Sequence, residues 1–126
     1  MGTFRQTIEV ANFERREFIS LEALVDTGAT YTAVPRDLLA RLGVEPEEER
    51  PFVLANGQRV TYGMAWVRVR LNEKEQPTPV IFADAGSTTL LGAVTLEEFG
   101  LAVDPVNRKH VPVAGYLVGL RLDQPS

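Results

Sequence analysis

Asp26 is the residue best placed to do chemistry. The apolar run Ala23-Leu24-Val25 leads directly into Asp26-Thr27-Gly28-Ala29-Thr30. A carboxylate is thereby delivered to the end of a buried strand, where glycine permits a tight turn. Burying an ionised carboxylate is costly. The cost falls when the group is hydrogen-bonded, shares a proton with a second acid or binds a metal. The Thr27 hydroxyl and the amides of a glycine turn suit the first two arrangements. Asp26 lacks His or Glu partners at ligand spacing, so no metal is expected, and no cofactor. The single histidine, His110, reads as a surface turn residue and leaves little material for a Ser-His-Asp triad. The absence of cysteine excludes thiol catalysis and disulfides.

Two further motifs follow in order. Asn56-Gly57 stands between strand-like runs, and Leu90-Leu91-Gly92 precedes Leu96. The segment from Leu24 to Thr30 resembles the hydrophobic-hydrophobic-Asp-Thr-Gly-Ala/Ser-Thr/Ser signature of aspartic proteases. A short chain with one such copy resembles their retropepsin-like (retroviral-type) branch, as a cellular single-domain member. Leu90, Leu91 and Gly92 resemble that family's hydrophobic-hydrophobic-Gly structural motif ahead of its late helix. The resemblance covers roughly residues 18–112.

That resemblance implies an all-β fold: a closed acid-protease barrel with one or two short helices, assembled as a homodimer. Aspartic protease chemistry needs two carboxylates sharing one proton, and this chain supplies one such Asp. Asp26 would therefore meet its own symmetry mate across a two-fold axis, and a monomer would be inactive. Thr27 would grip the opposite loop, and Gly28 would let the backbone approach water and substrate. Ala29 stands where pepsin-like members often carry serine. One hydroxyl donor to the carboxylate is then absent, and activity is expected at mildly acidic to near-neutral pH. Thr30 departs from the aspartate common in the viral enzymes. The Asn-Gly hairpin would be the flap, with Ala55, Asn56, Gly57 and Gln58 at its tip. The substrate would be an extended peptide or protein segment lying as an added strand, with Val34, Leu54 and Val80 among the pocket walls. A non-catalytic dimeric peptide-binding module on the same fold is the alternative.

Composition agrees with one compact domain spanning residues 1–126: 44% of 126 residues are apolar and 24% charged. No apolar run approaches the roughly 20 residues that cross a bilayer, and no signal-peptide core follows the first residues, so a cytoplasmic protein without a membrane partner is expected. A net charge of −4 argues against a nucleic-acid partner.

The elements that must position Asp26 follow from periodicity. Alternation predicts a strand over 3–10, with Phe4, Ile8 and Val10 inward, then a turn over 12–15 and a returning strand over 17–25. Leu38, Leu39 and Leu42 have helical spacing between Pro35 and Gly43. Residues 45–51, charged and proline-flanked, read as an exposed loop. Asn56-Gly57 reads as a type I′ hairpin turn. In residues 65–71, Ala65, Val67, Val69 and Leu71 share one face, while Trp66, Arg68 and Arg70 share a solvated one. A polar turn over 72–79, a short strand over 80–83 and a turn at Asp84-Ala85-Gly86-Ser87 come next. A strand over 88–92, a helix over 93–99 with Leu96 and Phe99 in the core, a closing hairpin over 101–113 and a last strand over 116–122 complete the chain.

Overall fold

A computed structural model describes residues 4–14, 17–104 and 109–112. Alternating side chains in Phe4–Ala11 and Phe18–Val25 form strands β1 and β2, which pair antiparallel from Phe4↔Val25 to Ala11↔Phe18. Strand β3 (Thr32–Pro35) leads into helix α1 (Arg36–Arg41), and Gly43 follows it at φ 76°. Strands β4 (Glu48–Val53), β5 (Arg59–Leu71) and β6 (Lys74–Ala83) form a meander. Strand β7 (Thr89–Leu91) runs into helix α2 (Ala93–Glu98). Strands β8 (Leu101–Asp104) and β9 (Lys109–Pro112) pair with each other as a separate hairpin.

The large sheet has the order β1-β2-β7-β3-β6-β5-β4, and β1 also pairs with β5 through Glu9↔Arg70, Val10↔Val69 and Ala11↔Arg68. Six strands thus close into a barrel, and β4 lies outside the ring. The two outer stretches of β5 share one edge: Arg59–Met64 pairs with β4, and residues 68–70 pair with β1. Inside the ring, Ile8, Val10, Val25, Val34, Val67, Val69, Val80 and Leu91 are essentially inaccessible and make the core. Leu39, Leu96 and Phe99 seal it from the helices.

Four local expectations are corrected. Residues 48–51 belong to β4, not to a loop. Its charges and Pro51 fit because β4 is an edge strand, where a missing amide and solvated side chains are tolerated. The turn after β5 is only Asn72-Glu73, both at positive φ, with Leu71↔Lys74 closing it, so β6 begins at Lys74 and not at residue 80. Those two positive φ values belong to the turn type expected at Asn56-Gly57. At that second site only Gly57 is left-handed (φ 86°); its amide donates to the Leu54 carbonyl at 2.8 Å, and the Leu54 amide donates to Gln58 at 2.8 Å. This is a three-residue loop, in which a turn is followed by a left-handed glycine that forms a bulge. His110 stands in β9, paired with Val103, and not in a turn. The expected strand over 116–122 lies outside the described residues.

Candidate active site

Asp26 follows the last residue of β2, and three parts of the chain hold its loop in place. Its amide donates to the Leu91 carbonyl at 3.1 Å, extending the parallel pairing of β2 with β7 by one bond. Its own carbonyl accepts from the Ala29 amide at 3.0 Å, and its Oδ1 accepts from the Gly28 amide at 2.9 Å. The carboxylate is half-buried, with one oxygen tied to the backbone of its own turn. Thr27 and Gly28 are exposed at the tip of that turn.

The far side of the loop is fastened to the start of α2. The Ala93 amide donates to the Ala29 carbonyl at 2.8 Å, and the Val94 amide to the Thr30 carbonyl at 2.9 Å. Loop carbonyls thus satisfy helix amides that have no partner within the helix. Gly92 makes this approach possible, since a Cβ there would lie 2.5 Å from the Tyr31 carbonyl carbon and 3.0 Å from the Ala29 oxygen. Leu90, Leu91 and Gly92 therefore act together: one half-exposed side chain, one core side chain and one close backbone contact.

Beneath the loop runs a buried polar chain. The Gly92 amide donates to Thr32 Oγ1 at 3.0 Å, Thr32 Oγ1 lies 2.6 Å from Thr95 Oγ1, and Thr95 Oγ1 lies 2.7 Å from Thr78 Oγ1. The Glu98 side chain lies next to Thr78 at the end of this chain, and its Oε1 is buried with no hydrogen-bond partner among the described residues. All three threonines are fully buried, and the chain leaves none of their hydroxyls unmatched. Burial pushes the Glu98 carboxyl above its ordinary range, against the lowering effect of Thr78. The sequence reading did not single out these threonines. Their signal was a polar residue at an inward position of each element.

The loop opens on a cleft of about 490 Å3. Gly28, Ala29, Thr30 and Tyr31 line one side, Ala33, Ile81 and Leu90 another, and Phe52, Val53, Leu54 and Ala55 of the β4–β5 hairpin a third. Val53 and Leu54 are exposed apolar residues at that hairpin. Asn56, Gly57 and Gln58 continue the exposed tip, where Asn56 Oδ1 accepts from the Gln58 amide at 2.9 Å. Val34 and Val80, expected as cleft walls, are instead fully buried in the core. Their neighbours Ala33 and Ile81, paired with each other across β3 and β6, face the cleft. Strand β3 was not expected, and for the expected strand over 80–83 the inward parity was misjudged by one residue.

Aromatic residues absent from the sequence reading complete the cleft. Tyr31, Phe52 and Tyr62 form a series: Tyr31 and Phe52 meet edge to face with centroids 6.2 Å apart, and Phe52 and Tyr62 pack tilted at 5.8 Å. Arg50 Nη1 donates to the Tyr31 hydroxyl at 2.7 Å, and Arg50 Nη2 pairs with Glu48 at 3.2 Å. The Asp26 loop and the base of the hairpin are thereby joined through one guanidinium. On the outer face, Arg68 and Arg70 form no free basic patch: they pair with Glu75 at 3.4 Å and Glu9 at 3.0 Å.

Comparison with known proteins gives a consistent result. The family model described as "gag-polyprotein putative aspartyl protease" matches residues 17–98. Simian foamy virus (mac) protease is structurally similar, with a TM-score of 0.56 and 17% identity over 75% of this chain and 92% of that one. EIAV protease, solved with the inhibitor HBY-793, gives a TM-score of 0.62 and 18% identity over 82% of this chain and 93% of that one. No curated protein matches by sequence.

Proposed function

Because the chain belongs to the retropepsin-like aspartyl protease family of gag polyproteins, we propose that it is an aspartic endopeptidase built from two copies, each contributing Asp26. The observation that carries this reading is the setting of Asp26: a half-buried carboxylate on a turn pinned by Leu91, Gly28 and Ala29, whose next residues, Gly28 to Tyr31, line a cleft of about 490 Å3.

A single carboxylate cannot act as base and acid in the same step. In a two-fold assembly Asp26 faces the partner's Asp26, and repulsion between like charges keeps one proton on the pair. The ionised member takes a proton from water, whose oxygen attacks the scissile carbonyl carbon. The protonated member gives its proton to the carbonyl oxygen, forming a tetrahedral diol. Collapse of the diol breaks the C–N bond, and the departing nitrogen takes up a proton from the dyad. Exposed Thr27 suits a contact across the axis, and Gly28 leaves room for the water. The β4–β5 hairpin acts as a flap, with Val53, Leu54 and Ala55 covering a substrate that lies as an extra strand.

The deciding experiment is Asp26→Asn. Cleavage of a peptide library by the native protein should fall by at least about a thousandfold in kcat/KM, with sedimentation mass and circular dichroism unchanged. Residual cleavage near the native rate, or no cleavage of any peptide by the native protein, defeats the proposal.

A further inference from the structure

We propose that the groove around Trp66, on the outside of the barrel, is a docking site for an extended segment of a partner protein that carries arginine or lysine next to an apolar residue. The groove is lined by Asn12, Phe13, Gly43, Val44, Glu45, Glu47 and Trp66 among others, and it shares no residue with the cleft beside Asp26. It therefore stands independently of the proposed catalysis.

The groove exists because of how β5 is shared. One edge of β5 pairs with β4 up to Met64 and with β1 from Arg68 onward, which leaves residues 65–67 between them without a strand on that edge. The Trp66 amide faces the gap and is met by Glu47 Oε2 at 3.4 Å. Inward alternation of Ala65 and Val67 forces the Trp66 side chain outward, where it is 45% exposed, and Phe13 on the far bank is 50% exposed. Two large aromatic residues at that exposure across one groove form an apolar surface of the kind that marks interaction sites.

Charge selects the occupant. The groove also carries Glu45 and Glu47, within a run where four of the five residues from 45 to 49 are glutamates. Aromatic faces attract cations, and this surface already shows the pairing: the Arg68 guanidinium lies 5.1 Å from the Phe13 ring centre. Among the described residues no cation lies over the Trp66 ring. An incoming arginine or lysine would place its charge between the Trp66 face and the Glu45 and Glu47 carboxylates, with a neighbouring apolar side chain against Val44.

Trp66 is the sole tryptophan, so its fluorescence reports on the groove directly. The native protein is titrated with a capped hexapeptide of alternating arginine and leucine, and separately with its glutamate-leucine counterpart. The expected result is a saturable change in emission with the arginine peptide alone. It should weaken about tenfold in the Glu45→Gln/Glu47→Gln double variant, which retains the side-chain volumes, and weaken further with added salt. An equal response to both peptides, no saturable response, or an unchanged affinity in the double variant overturns the proposal. So does emission that depends on protein concentration without peptide and stops doing so in Phe13→Lys, which keeps Trp66, because a second copy of the chain would then be the occupant.

Discussion

Gly92 and Asp26 show how one atom can matter at a site. With the Tyr31 carbonyl occupying the space of a Cβ, even alanine at position 92 requires the backbone of the Asp26 loop or of α2 to move. Gly92→Ala should lower stability by about 3 kcal/mol or more, read from the midpoint of urea denaturation, and should cut peptide cleavage even under conditions where the variant is folded. A loss below about 1 kcal/mol would mean that the contact is easily relaxed. Asp26, Thr27, Gly28 and the Leu90-Leu91-Gly92 motif could be read from the chain because a charge and a glycine at the end of apolar runs have few uses. Ala33, Ile81 and the Tyr31, Phe52 and Tyr62 series could not. A strand that is apolar on both faces does not reveal its parity, and partners 21 and 10 residues apart meet only after folding.

At the scale of elements, α2 combines anchorage with a titrating group. Its amides hold Ala29 and Thr30, its Thr95 joins the polar chain that starts at Gly92, and its Glu98 is partly buried beside Thr78. Burial raises the proton affinity of Glu98 in the folded state above that of the unfolded chain. The resulting stability is present below the ordinary carboxylate range and is lost as pH rises through the raised folded value. Glu98→Gln keeps the side-chain volume without the charge, so it should raise the melting temperature near pH 7 and leave it almost unchanged near pH 4. A stabilisation of equal size at both pH values would assign the effect to packing. Elements with regular alternation, β1, β2 and the second half of β5, were legible in advance, as was α1 from its leucine spacing, while α2 followed from the resemblance carried by Leu90, Leu91 and Gly92. Strand β4 was hidden by glutamates and Pro51, which an edge tolerates and a central strand does not. The early part of β6 was hidden by its polar residues, among them Thr78, whose burial depends on Thr95, 17 positions later.

For the molecule as a whole, the proposed chemistry needs two chains. At concentrations where the monomer prevails, activity per mole of chain should halve with each twofold dilution, following the dimer fraction measured by sedimentation. Constant activity per mole across the range where only monomer sediments would remove the shared-proton dyad from the account. The closed ring was not legible in local pattern, because it depends on Glu9, Val10 and Ala11 finding residues 68–70. That seam also orders events during synthesis on the ribosome. The hairpin of β1 and β2 is complete at Val25, yet its outer rim stays bare until the chain has been translated as far as Arg70, so a nascent chain stalled in that interval offers a sticky strand to its neighbours.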